Sequence, residues 1–286
     1  MLTEGHMPGP ETSLQQQTFD EQGYLHLPGV LAADMVEALT ELVDANYEAH
    51  RAAGYDPYLK RAFDASRPFF YPNFLKDDQR FVNLLDHPKV FPLVYTVLGW
   101  NIYSYHSHYI VTPPRDTTDR RGGRFGFHQD SGRVNVELDC SPRPRLSIKV
   151  SYWLSDCDEV DRGNLFVVPG SHREDRIELP EDGSAPAGAV PVLCRAGDVV
   201  LFDRRMWHSA SPNNSNVVRK ALFIGYGYRW LRTKDDMTIS SRMLAANDPV
   251  RRQLLGEATD ANGQFSPKPG QLPLHQWMLD VGLTDA

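Results

Sequence analysis

From Asn101 to Trp230 the chain breaks into short runs in which hydrophobic and polar residues alternate, the signature of half-buried strands. The stretch "NIYSYHSHYIV" sets aromatics against smaller or polar residues, and "RLSIKVSYWL" puts Leu146, Ile148, Val150, Tyr152 and Leu154 on one face of a strand. "GNLFVVPGSH" predicts a strand ending in a proline-glycine turn. "AGDVVLFDRRMWHSA" and "VVRKALFIGYGYRW" predict two more, joined through the dense turn signal "SPNNSN". The flanks have another texture. Met35, Leu39, Leu42 and Val43 recur at helical spacing, and "QRFVNLLDHPKVFPLVYTVLG" predicts a second helix. "FDEQGYLHLPGVL" is read as a helix end, a glycine turn and a short strand, and the aromatic "RAFDASRPFFYPNFL" as a loop whose rings serve packing. Residues 1–17, polar and rich in Gly, Pro and Gln, are predicted to fray, and the C-terminal part is predicted to wrap the strands with helices.

Short strands separated by turns predict a sandwich or jelly roll, an all-β core with flanking helices. With no internal repeat or linker, the reading is a single domain over residues 1–286 with its core at about 101–230. Hydrophobic content of 41% and charged content of 23% are those of an ordinary globular protein. The net charge of −7 argues against nucleic-acid binding, and no apolar run reaches the roughly 20 residues of a membrane span. No secretory pattern stands at the N-terminus, and three cysteines at no metal-like spacing are read as reduced thiols, so the expected location is cytoplasmic.

The stretch "GFHQDSG" carries the first chemistry. In a strand His128 and Asp130 project from the same face and aim at one point, as metal ligands would, although for an isolated His-x-Asp a turn or strand end facing water is the commoner explanation. His208 closes a predicted strand before the "SPNNSN" turn, and Arg219 opens the next. Two histidines and a carboxylate on one side of an ion suit a non-haem iron oxygenase, and an arginine fork beyond them suits a carboxylate. His106 and His108 form a rival pair on one strand. Lacking a partner carboxylate at strand spacing, they are assigned to substrate pocket or packing. His172 is read as a turn residue, Asp198 and Asp203 as solvated, and Lys149 as a lysine reaching to the surface.

"FHQD", "GNLFVVPGSH" and "GDVVLFDRRMWHSASPNNSNVVRKAL", in this order, closely resemble the phytanoyl-CoA dioxygenase family of Fe(II)/2-oxoglutarate oxygenases. The similarity runs from "FDEQGYLHLPGVL" to "DPVRRQLLGEATD" and "PLHQWM". The resemblance implies a double-stranded β-helix of cupin type, with His128, Asp130 and His208 as iron ligands and Arg219 on the distal carboxylate of 2-oxoglutarate. It also implies Fe(II), 2-oxoglutarate and O2 as cofactor and cosubstrates, with oxidation of a small molecule and release of succinate and CO2. Tyr152 matches a position that lines the cosubstrate pocket. Thr112 stands where some members carry a lysine before the double proline. The absence of a basic cluster along the chain, and of a peroxisomal ending, points to a small metabolite or natural product as substrate. A cupin-like metal isomerase or hydrolase, or a silent binding protein of the same fold, would share much of this pattern.

Overall fold

The computed structural model describes residues 2–115, 124–130, 132–257, 267–268 and 270–284. Ser131 of "GFHQDSG" and the end of "DPVRRQLLGEATD" lie outside the described residues. The chain begins with helix α1 (Pro10–Gln22), which has proline in its first turn and ends at Gly23 in the left-handed conformation (φ 81°). The expected fraying of residues 1–17 is therefore not what the structure shows. Phe19 is fully buried, His6 Nε2 lies 2.8 Å from the Asp86 carbonyl, and the Tyr95 hydroxyl donates to the His6 carbonyl. Polar composition concealed a few buried anchors, His6 among them.

Strand β1 (Tyr24–Leu27) and helix α2 (Ala33–Ala53) follow. A two-residue hairpin, β2 (Tyr55–Asp56) and β3 (Arg61–Ala62), precedes β4 (Phe69–Pro72). The aromatic stretch expected as loop thus supplies an edge strand, while its rings pack as anticipated. The single helix expected over residues 79–99 is two, α3 (Gln79–Val82) and α4 (Phe91–Leu98). Pro88 is the cause: it disfavours the helical conformation at His87 and can donate no backbone bond, whereas Pro92 falls in the tolerant first turn of α4.

The strand region holds β5 (Ile102–Thr112), β6 (Ser147–Trp153), β7 (Leu165–Val167), β8 (Val190–Val192), β9 (Val199–Asp203), β10 (His208–Ala210) and β11 (Arg219–Tyr228), with the short helix α5 (Gly132–Glu137) between β5 and β6. A six-stranded antiparallel sheet has the order β1-β9-β6-β11-β5-β4, and a three-stranded sheet the order β10-β7-β8. Facing each other, they form the jelly roll. The large sheet thus borrows β1 and β4 from outside residues 101–230. Helices α6 (Ser241–Ala245), α7 (Pro249–Leu254) and α8 (Pro273–Asp280) complete the described C-terminal part.

The large sheet packs apolar side chains on both faces. Ile148, Val150, Tyr152, Val199, Leu201, Leu222 and Ile224 pack with the helices, which contribute Leu39, Val43 and Phe91. Trp153, Val200, Phe202 and Phe223 point the other way, onto Leu165 and Val167 of the small sheet. Burial on both sides explains why "VVLF" in β9 reads as a continuous apolar run. At about 2 kcal/mol per fully buried large side chain, this two-sided burial dominates the packing. The described cysteines are free thiols, and no helix among the described residues is long and apolar enough to cross a membrane.

Candidate active site

His128 and His208 face each other as a two-way backbone pair, each N–H donating to the other's carbonyl at 3.0 Å. This pairing adds residue 128 to the edge of β10 and turns both imidazoles to one side. Two residues on, the Asp130 N–H donates to the Arg204 carbonyl at 2.8 Å, which keeps the carboxylate on the same face. His128 Nδ1 lies 2.8 Å from the Gly126 carbonyl and His208 Nδ1 2.9 Å from that of Met206. A carbonyl can only accept, so each ring carries its proton on Nδ1 and presents the Nε2 lone pair. The ligand atoms of His128, Asp130 and His208 lie within 4.8 Å of one another. The structure brings together the three residues that the sequence singled out.

Protonation favours the same use. Burial pushes the His208 imidazole down to about 4, only partly offset by Asp130, so it is neutral at physiological pH. Burial alone would raise the Asp130 carboxyl, but the ammonium of Lys149, followed by His208, holds it well below the ordinary carboxylate range. Lys149 Nζ lies 2.6 Å from Asp130 Oδ2, an ion pair by distance whose direction is poor for a hydrogen bond. Lys149 is therefore no surface lysine. It is 6% exposed and stands on the face of β6 that carries Ser151 and Trp153.

Arg219 is 3% exposed, with its guanidinium 4.9 Å from the Trp153 ring and 5.6 Å from that of Phe223. Nη1 donates to Thr112 Oγ1 at 3.3 Å across the β11–β5 ladder, while Nε has no acceptor. No ion pair to an acid is found for it among the described residues, and burial lowers its pKa from the ordinary arginine value. An uncompensated buried cation costs several kcal/mol, which makes the site receptive to an anion. Gly163 (φ +72°) leaves it room, since a Cβ there would lie 3.4 Å from Arg219 Cδ.

A cavity of about 310 Å³ joins these groups, with the triad, Arg219, Phe70 and Phe223 in its wall. His106 and His108 line it too. His108 stacks between Phe70 (4.4 Å) and Phe223 (4.9 Å), and His106 Nδ1 lies 3.0 Å from Asp235 Oδ2. Burial lowers the pKa of both. Tyr152 does not reach this cavity. Its hydroxyl donates to the Leu84 carbonyl at 2.8 Å within the helix-side core. The alternation along β6 was read correctly, but its cavity face is the opposite one.

Other expectations also change. Asp203 is fully buried between Arg145 (2.8 Å) and Arg205 (2.7 Å). Asp198 is buried as well, closing a turn by accepting from Gly29 N, Arg195 N and the His26 ring. Those bonds account for the closeness of His26 and Asp198, which group with Cys194 nearby. His172 sits in a buried turn against the Asp20 carbonyl. Lys234 and Asp235, which line the cavity from beyond β11, were missed because no pattern marks that loop.

The family model described as phytanoyl-CoA dioxygenase matches residues 19–221. An uncharacterized protein of Mycobacterium tuberculosis, Rv1501, is 34% identical over 151 residues, 52% of this chain and 51% of its own. The match thus spans about half the length of that relative, as it does for the equivalent protein of Mycobacterium bovis. The ectoine dioxygenase of Stutzerimonas stutzeri is 25% identical over 74% of this chain and 75% of its own. Among solved structures, the non-heme alpha ketoglutarate dependent carbocyclase SnoK from nogalamycin biosynthesis matches with TM-score 0.56 and 26% identity, covering 80% of this chain and 87% of its own. HygX from Streptomyces hygroscopicus, solved with nickel and 2-oxoglutarate, shares the fold at TM-score 0.59 and 18% identity, covering 82% and 90%.

Proposed function

The chain belongs to the phytanoyl-CoA dioxygenase family, and from that premise we propose that it is an Fe(II)- and 2-oxoglutarate-dependent oxygenase. Its reaction is the oxidation of a small metabolite or natural product, by hydroxylation, with release of succinate and CO2. One observation carries the reading. Two imidazoles and a carboxylate converge beside a buried arginine that has no acidic partner among the described residues, and all four line one cavity.

His128, Asp130 and His208 would hold iron, a donor set that leaves coordination positions open. Arg219 would take the distal carboxylate of 2-oxoglutarate with its fork, and Thr112 orients that fork from the neighbouring strand. When bound, the metal and 2-oxoglutarate supply the oxygen chemistry. The chain's own part is positioning and exclusion of water. Trp153 and Phe223 keep the guanidinium dry, where its attraction for a carboxylate is stronger than in water. Lys149 holds Asp130 ionised through Oδ2, and a carboxylate has a second oxygen to offer. A metal isomerase or hydrolase would have no use for Arg219 at this place. The relatives named ectoine dioxygenase and carbocyclase support a small-molecule substrate, as does the size of the cavity.

The test is reconstitution with Fe(II) and 2-oxoglutarate, followed by a metabolite screen read by succinate formation. Bound iron and substrate-stimulated succinate are expected. A protein that retains no iron and releases no succinate with any compound would overturn the reading.

A further inference from the structure

A second cavity, of about 380 Å³, lies beside the first and has no part in the chemistry above. Tyr105, Val134, Leu146 and Leu231 give it apolar walls. Arg133, Arg204, Arg232 and Lys234 also line it, and no carboxylate does among the described residues. The molecule as a whole has 37 acidic against 30 basic side chains, so this local balance is the reverse of the global one. Arg204 is the most telling of the four. It is 1% exposed, and its Nη1 and Nη2 donate only to neutral acceptors, Asn135 Oδ1 at 2.7 Å and the Pro144 carbonyl at 3.0 Å. Its Nε has no acceptor among the described residues. The adjacent Asp203 is committed to Arg145 and Arg205. Arg133 pairs with Glu137 at an exposed surface, where such a pair is worth little. Lys234 lines both cavities and so marks the seam between this one and the cavity of the triad.

We propose that this cavity is the subsite for the non-reacting part of the substrate, and that this part is an organic anion, a phosphate or a carboxylate borne on an apolar body. The proposal rests on the oxygenase reading, which puts the reacting part at the triad. The apolar walls suit the body. The four cations, three of them arginines able to fork onto an oxyanion, suit the charge. No run of basic residues along the chain announces the site, because its cations come from α5, from the turn after β9 and from the segment after β11.

Hexyl phosphate, hexanoate and hexanol serve as probes, titrated calorimetrically into protein loaded with Fe(II) and saturating 2-oxoglutarate without oxygen. Both anions are expected to bind roughly tenfold or more tighter than hexanol, the scale of one charge-assisted hydrogen bond. The tighter of the two identifies the phosphate or the carboxylate form. The double variant Arg133→Glu/Arg232→Glu, at two exposed positions, should weaken both anions by about tenfold or more while 2-oxoglutarate binds as before. Arg204→Lys, which keeps the charge but loses the fork, should weaken them less. Anions that bind no better than hexanol, that displace 2-oxoglutarate, or that ignore the double substitution would overturn the proposal. Iron content and 2-oxoglutarate binding of the same preparation are read separately. Their failure beside arginine-dependent anion binding would strike the oxygenase reading and leave the anion site standing.

Discussion

At the scale of single residues, His208 and Arg219 sit in one cavity but should fail in different ways. His208 offers the deeper of the two imidazoles, 6% exposed with its Nδ1 proton tied to Met206. The substitution His208→Ala leaves two donors, one of them on the exposed His128, and the purified variant should lose its iron. Elemental analysis checks this, and wild-type stoichiometry would remove His208 from the ligand set. Arg219→Ala should retain the metal. Its loss is one bidentate, charge-assisted pair, on the order of 2–3 kcal/mol or roughly 30- to 150-fold in affinity for 2-oxoglutarate. Unchanged affinity would place the carboxylate site elsewhere.

At the scale of elements, the corner after β9 ties the large sheet to the edge that carries His128 and Asp130. Asp203 closes β9 and holds Arg205 and Arg145, while the next residue, Arg204, accepts the Asp130 N–H through its carbonyl. Burial would raise the Asp203 carboxyl, but Arg205, and then Arg145, outweigh it and hold it below its ordinary value of 3.8. A depressed folded pKa contributes stability that is present above the unfolded value and is lost as pH falls through the folded one. Asp203→Asn should cost about 3 kcal/mol at neutral pH, the low end for a broken buried pair because both arginines keep some contact with water. Urea midpoints followed from about pH 7 down to about pH 3 should show the gap to wild type narrowing on the acid side. A constant gap would mean that the amide's packing, and not the lost charge, carries the effect.

For the whole molecule, the fold decides which oxidation is open to it. Asp130 lies on the face of His128, so in the proposed ligand set a protein carboxylate would take the position that chloride would need. Products formed in chloride-rich buffer, once a substrate is in hand, should therefore carry oxygen or lack two hydrogens, and mass spectrometry distinguishes these from chlorinated species. A chlorinated main product from the unaltered enzyme would show that Asp130 does not serve as a ligand.

Much of this was written locally in the chain. Period-two alternation, turn residues and the helical spacing in α2 are short-range properties, and they mark most strands of the jelly roll and the helix before it, although the one strand read in "AGDVVLFDRRMWHSA" is two, β9 and β10, in different sheets. The His-x-Asp spacing offers two donors for one face, and backbone pairing with His208 and Arg204 fixes them there. Tertiary structure decided the rest, because a strand pattern defines two faces but not which one meets the cavity. Tyr152 and Lys149 exchanged their expected roles on that account, and β6 paired between β9 and β11 set the outcome. Asp203 looked solvated because its arginine partner Arg145 lies far away in sequence. The cations at 133, 204, 232 and 234 form a cluster only when three separate segments meet around one cavity. Such a gathering leaves no local trace, since charge density in space depends on which segments the sheets bring together.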